Sequence, residues 1–555
     1  MHRLTAIVVS LALLAGLFVY APQSVRAELR EPAYIGPGGG SGPCASPLYV
    51  TDGSADDEVF QTAVNEQDSN INNILYVCTG TYDIDYRIEV DGPLTIESVS
   101  GAANTILDAT ENEVRIFTFF AEAEVNGLTF QNADSVWNGA AIYAAGALTV
   151  RNSVFLDNHS NEEGGAIFMY PDETLVITGS TFTGNSAGLA GGAVYCYNSL
   201  DLVADSTFIE NTSGENESYS LDGGAIYIRG DIKDLDADGE SGLVNNIFSG
   251  NLAKGSGGAV YVNEKVISSN VSGNTFSDNI ARHAGGALYV SREFSGSIMS
   301  ENTFEGNAAG LDNWDGGAFF LDADFENGSQ MTNNAFSGNT AGDDGGAVML
   351  YWDMDEGTLI SGNTFSNNEA DLDNDNNGAG GGLQIDDLLA GTITNNNFLN
   401  NEAGLGGGLY SEDLTGTAVI TMNTFRSNVA TADGGGIWLD DNGYDSSELA
   451  IFTKNSFWGN RASDNGGALY LSFNNTEVGP RFFTRNMYRG NRAALGGAIA
   501  FKGFGSEGAG DCSAPLTSSR TAIRFFRKDR FALNRATSSR LTANVGLVAC
   551  EVERP

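Results

Sequence analysis

The chain has 555 residues, with 71 Gly, only 10 Pro, 41% hydrophobic residues, a formal net charge of −43 and a pI near 4.1. An apolar fraction of that size excludes general disorder, and the charge excludes a nucleic-acid binder, which must neutralise phosphates with Lys and Arg. The same charge argues against an anionic membrane surface and favours solubility or divalent-cation binding.

Residues 1–27 read as a secretory signal. Arg3 gives the positive start, Ala6 to Tyr20 the apolar run, and Val25-Arg26-Ala27 the small-residue cleavage site. The apolar run is shorter than the roughly 20 residues of a membrane span, and no later stretch is apolar enough to cross, so a secreted or cell-surface protein without a span in the mature chain is expected. Residues 28–43 read as a linker, 44–125 as an N-terminal cap with the first rungs, 126–540 as the repeat region and 541–555 as a C-terminal tail.

In the cap region, Ala55 to Val64 reads as a short amphipathic helix with Ser54 as its N-cap, and Ile74 to Cys78 as the first strand. Such a helix covers an end that would otherwise pair with other chains. Five cysteines suit an oxidising compartment. Cys44 with Cys78, and Cys512 with Cys550, are expected as disulfides stapling the two ends; Cys196 is expected to be a buried apolar residue.

From Phe155 onward a motif F-x-x-N recurs, at Phe155/Asn158, Phe182/Asn185, Phe208/Asn211 and so on to Phe457/Asn460, Tyr488/Asn491 and a last copy at Phe531/Asn534. Most copies are followed by G-G-A or G-G-G and an apolar residue, and the spacing is mostly about 25 to 33 residues, one supersecondary unit per repeat. Each unit holds short alternating apolar runs broken by Gly, Asn, Ser and Asp, with no room for a long helix. The fold class expected is all-β: one right-handed parallel β-helix with a short N-terminal cap. A second Asn precedes most of the aromatic residues by two places, as at Asn246, Asn274 and Asn302. Stacked rungs would turn both Asn series into ladders at the strand spacing of about 4.8 Å, and Asn also tolerates the left-handed backbone of tight turns.

Counting from the Ala of G-G-A as zero, places +1 and +3 are aliphatic and should face the core. Place +2 should face outward, and it holds Tyr143, Phe168, Tyr195, Tyr227, Tyr261, Tyr289 and Phe320, then, after Met349 and Gln384, Tyr410, Trp438 and Tyr470. Tyr195, Tyr227, Tyr261, Tyr289, Phe320, Tyr410, Trp438 and Tyr470 are therefore candidate contacts for sugar rings or partner side chains; stacked rings also stabilise a parallel sheet on their own account.

The tandem F-x-x-N and G-G-A-[ILV] motifs, from about Phe130 to Asn534, resemble the repeats of chlamydial polymorphic outer-membrane proteins. That resemblance implies a β-helix passenger acting as a surface adhesin. About twenty residues follow Asn534, too few for that family's C-terminal β-barrel, so a freely secreted or otherwise tethered protein is expected. The tail reverses the overall charge with Arg520, Arg524, Arg527, Lys528, Arg530, Arg535 and Arg540, either to attach to an acidic glycan or to blunt an open edge.

Two acidic loops carry metal-ligand spacing. Asp234, Asp236 and Asp238 with Gly239 match the start of an EF-hand-type loop, although Asn245 stands where a bidentate Glu is expected. Asp371, Asp373 and Asp375 repeat the spacing without the Gly. Each is a calcium loop or a solvated acidic loop. Place +4 holds Asp322, Asp386, Glu412 and Asp440, with Asp387, Asp413 and Asp441 beside the last three: a solubilising stripe or a cation bridge.

The functional expectation is adhesion or glycan binding toward a polysaccharide or cell-surface component. The alternatives are a polysaccharide lyase or hydrolase, or a structural envelope component. Acidic pairs could serve hydrolysis, and Arg229 or Arg282 is the type of base a lyase needs. Against an enzyme, His2, His159 and His283 are the only histidines, and no Ser-His-Asp set, zinc spacing or phosphate loop appears.

Overall fold

The computed structural model describes residues 33–37, 42–45, 47, 49–51, 56–67, 73–110, 114–170, 174–215, 221–234, 240–310, 315–371, 378–414, 417–441, 450–473, 482–502, 526–527, 529–536 and 548–551. They form a single all-β, parallel solenoid of about thirteen turns. A typical turn runs through four short strands, such as Ile142–Ala144, Leu148–Arg151, Val154–Leu156 and His159–Ser160. Each strand pairs in parallel with its counterpart one turn on, Phe155 with Phe182 and Tyr143 with Phe168. Here these four faces are called the G-G-A, the bridging, the F-x-x-N and the short face.

The in-register stacking makes every repeated residue a column. The Phe of F-x-x-N stacks from Phe130 to Phe531 at centroid spacings of 4.6–5.0 Å along the buried axis of the molecule. The aliphatic residues at places +1 and +3 join the same core, as expected, and Cys196 is fully buried among them. Both Asn series are ladders. In the first, each carboxamide from Asn158 to Asn491 donates to the next one at 2.9–3.1 Å. Each also donates to the carbonyl of the Phe one turn before, as Asn185 does to Phe155. All buried amide hydrogens are thereby satisfied within the column.

The left-handed backbone falls elsewhere than expected. Ladder Asn residues have ordinary φ; the residue just before each one is left-handed, as at Asp157 (φ 51°), Asn245 (φ 55°) and Asn333 (φ 57°). The ladder side chain must point inward, so the tight bend is taken one residue earlier. In G-G-A the two glycines answer to different needs. The first has positive φ, 66° at both Gly164 and Gly257. The second lies so close to the next turn that a Cβ on Gly258 would collide with the Gly286 carbonyl.

At the N-terminal end a helix spans Asp56–Gln67 and sends Phe60, Ala63 and Val64 into the core. Phe60 meets Tyr82 and Phe117 edge-on at 5.3 and 6.4 Å. Ser54 lies outside the described residues. The first strand is not Ile74–Val77 but Ala33–Gly36, inside the segment expected to be a linker; it pairs with both Tyr49–Val50 and Leu75–Val77. Four residues with Tyr and Ile among flanking Pro and Gly give too short a run to read from periodicity. Cys44 and Cys78 are disulfide-bonded. Cys512 lies outside the described residues, so the second expected pair does too; Cys550 sits in the last strand, Val548–Glu551. Among the described residues no helix is long and apolar enough to cross a membrane.

Candidate functional site

The place +2 rings do lie outside the main core, on the outer surface of the G-G-A face, where they form clusters of their own. They are not free platforms, however. From Tyr143 through Tyr195, Tyr227, Tyr261 and Tyr289 to Phe320 the rings stack on one another at 4.8–5.5 Å and within 14° of parallel. Tyr410 stacks on Trp438 at 4.5 Å, and Trp438 on Tyr470 at 6.0 Å. Tyr195, Tyr227, Phe320, Tyr410 and Tyr470 are buried, and Tyr261, Tyr289 and Trp438 half-buried. A ring whose two faces meet its neighbours offers only its edge and hydroxyl.

The column breaks at Met349 and Gln384, and there the surface changes character. The strand Val348–Met354 carries a bulge between Leu350 and Asp353. A bulge adds residues to one strand and re-aims side chains. Here it turns Tyr351 and Trp352 outward, 43% and 51% exposed, with the two rings edge-to-face at 6.1 Å. Tyr351 still stacks on Phe320 at 6.2 Å, so Trp352 is the more open of the two rings at the break.

Carboxylates gather beside them. Asp315 and Asp344 each precede a G-G pair, and each accepts a backbone N–H from the next turn: Asp315 Oδ1 from Asp344 (3.1 Å) and Asp344 Oδ1 from Ala379 (2.7 Å). The Gln384 amide donates to Asp344 Oδ2 (3.1 Å) and to Asp386 Oδ1 (3.2 Å). One turn back, the Tyr289 hydroxyl donates to Asp322 Oδ2 at 2.7 Å. Burial drives all of these carboxyls upward. Asp344 is pushed to about 8, with Asp315 and Asp343 adding like-charge repulsion. Asp386 rises to about 7 and Asp315 to about 6. Along the outer edge Asp353 rises to about 6, from burial and from the nearby Asp324 and Asp387. Desolvation disfavours the charged form, so near neutral pH Asp344 keeps its proton and Asp386 is divided between its two forms, while Asp315 and Asp353 are mostly ionised; the group can both donate and accept hydrogen bonds.

The sequence-based site residues divide accordingly. Asp322, Asp386 and Glu412 of place +4 lie in or next to this group, and Asp387 pairs in register with Asp353 and Asp413. Of the calcium loops only Asp234 and Asp371 are described; Asp236, Asp238, Asp373 and Asp375 lie outside the described residues. Asp371 is buried, and its N–H bonds the Asp343 carbonyl at 2.9 Å, beside the carboxylate group. Asp315, Asp343 and Asp344 bring oxygens within 4.8 Å of one another, a donor set suited to a hard cation. This set was not anticipated, although the recurrence of Asp before G-G, at Asp222, Asp315, Asp344 and Asp433, was visible. Arg229 lies over the Tyr197 ring at 4.1 Å, and His159 bonds Ser186.

A family model described as a right-handed beta helix region matches residues 321–483. One described as the Chlamydia polymorphic membrane protein repeat matches residues 179–197 and 247–263, the repeat type that the F-x-x-N and G-G-A-[ILV] motifs resemble. Among solved structures, the Dettilon tailspike protein (gp208) is 12% identical, with 84% of this chain and 68% of that chain covered and a TM-score of 0.28. The periplasmic alginate epimerase AlgG is 10% identical, covering 91% and 92%, TM-score 0.28. A PL6 alginate lyase in complex with a trisaccharide is 13% identical, covering 93% and 90%, TM-score 0.26. No curated protein matches.

Proposed function

We propose that this protein is a secreted or cell-surface glycan-binding β-helix, and that the break in the ring column is where it holds its ligand. The carrying observation is that the bulged strand Val348–Met354 turns Tyr351 and Trp352 outward and carries Asp353 next to them, in register with Asp387, whose chain neighbour Asp386 shares the Gln384 amide with Asp344. Sugars present apolar C–H faces, which stack on rings, and hydroxyls, which pair with carboxyl oxygens; this surface offers both within one bulged strand and its neighbours. The abundant negative charge favours a neutral polysaccharide, because a uronate would meet carboxylates of its own sign. The ring column beyond the break serves mainly to stiffen the sheet that carries the site.

Calcium belongs to this reading as the alternative to protons: a divalent cation at Asp315, Asp343 and Asp344 would relieve the same repulsion. The raised carboxyls also favour a second reading, glycoside hydrolysis, which needs one protonated and one ionised carboxyl across the bond. A panel of neutral and acidic polysaccharides, assayed for retention and for new reducing ends, separates the two. Retention of a neutral glycan without cleavage supports binding, and new reducing ends that vanish in Asp386→Asn support hydrolysis. Neither effect across a broad panel rejects both.

A further inference from the structure

The short face carries one outward side chain per turn, and its last seven turns form a charge pattern that reads as its own complement. In parallel register the column runs Thr340, Glu369, Glu402, Val429, Arg461, Arg492, Arg535. Both glutamates and all three arginines are exposed. At the strand spacing of about 4.8 Å, neighbouring like charges repel, so the monomer bears two stacked anions and three stacked cations. Among the described residues none of the five makes an ion pair; the ion pairs present involve other residues.

Val429 stands at the centre of this pattern. A half-turn about an axis through Val429, perpendicular to the solenoid, sets Glu402 opposite Arg461, Glu369 opposite Arg492 and Thr340 opposite Arg535. We propose that a second copy of this chain docks antiparallel along this column, with the two-fold axis at Val429. A two-fold interface is isologous, so every pair occurs twice, and the like-charge repulsion within each monomer becomes attraction across the interface. A half-turn also keeps each column facing its own counterpart, so the one-residue-wide short face is sufficient. The column spans roughly 29 Å, a narrow strip that places the dimer among weak, salt-sensitive associations.

Sedimentation velocity on the full chain, from micromolar to sub-millimolar concentration at low and high salt, tests this together with charge reversals. The wild type should dimerise at low salt and dissociate at high salt. Glu402→Arg and Arg461→Glu should each weaken the dimer about tenfold or more. The double variant Glu402→Arg/Arg461→Glu regenerates a complementary pattern and should restore it. Both positions are exposed, so thermal midpoints should stay unchanged and loss of dimer will not reflect unfolding. A monomer at every concentration, a dimer indifferent to the single reversals, or a double variant without recovery would each overturn the proposal. So would a chain that stays monomeric yet binds a soluble polyanion through Arg461, which would make an anionic polymer the occupant.

Discussion

Asn279 donates from Nδ2 to Oδ1 of Asn307 at 2.9 Å, and Asn307 passes the pattern on, donating to Asn339 at 3.0 Å and to the Phe276 carbonyl at 3.0 Å. Asn307→Ala removes these bonds and strands the Asn279 amide in a buried column. Each orphaned buried group costs about 1–3 kcal/mol, so the expected loss exceeds about 3 kcal/mol. Guanidinium unfolding followed by circular dichroism should show a lower midpoint; an unshifted one would mean the ladder is dispensable.

The paired glycines should respond unequally. Gly258→Ala drives a Cβ into the Gly286 carbonyl of the next turn, and backbone cannot yield without unstacking turns, so poor expression or a loss above about 3 kcal/mol is expected. Gly338→Asn keeps a left-handed residue (φ 64°) where nothing crowds the added Cβ, and Asn tolerates that conformation. Its thermal midpoint should move little, and equal damage from both would refute the distinction.

Stability should fall as pH rises from about 4 to 8. Asp344, Asp386 and Asp315 titrate near 8, 7 and 6 in the folded chain against 3.8 when unfolded. In that window the folded state therefore binds more protons than the unfolded state, and stability declines by up to about 1.4 kcal/mol per pH unit for each group. The stabilisation is complete below the unfolded value and is lost once pH passes the folded values. Net self-repulsion acts in the same direction, so the diagnostic is Asp344→Asn, which keeps the acceptor for Ala379 but has nothing to ionise. Melting temperatures from pH 5 to 8 should decline less steeply in this variant than in the wild type.

Reduction of Cys44–Cys78 should loosen the N-terminal end alone. The bond closes a separation of 34 residues, for which chain entropy gives about 3–4 kcal/mol, and it ties the Ala33–Gly36 edge to the first complete turn. Hydrogen exchange after reduction should speed up at Ala33–Gly36 and Ile74–Val77 and leave turns beyond Phe155 unchanged. Uniform loss of protection would contradict this.

The architecture was legible because a solenoid writes each spatial column as a sequence period: Phe155 and Phe182 are stacked in space for the same reason that they recur. The direction of Tyr227 followed from strand alternation, but its burial did not, since that depends on rings one turn away covering its faces. The carboxyl group was harder still. Asp315, Asp344 and Asp386 come from three successive turns and two different places in the repeat, and what raises them is burial, which no spacing reveals. Tyr351 and Trp352 follow the break at Met349 in the sequence, but the bulge that exposes them is a register change that depends on the neighbouring strand.

A neutral glycan held at the ring break should depend on Trp352 and not on the stacked column. Isothermal titration with a retained oligosaccharide tests it most directly, comparing wild type, Trp352→Ala and Tyr227→Phe. Trp352→Ala should bind at least about tenfold more weakly, and Tyr227→Phe should bind as the wild type does, because its ring faces are covered by Tyr195 and Tyr261. Undiminished binding in Trp352→Ala, with loss in Tyr227→Phe, would contradict it.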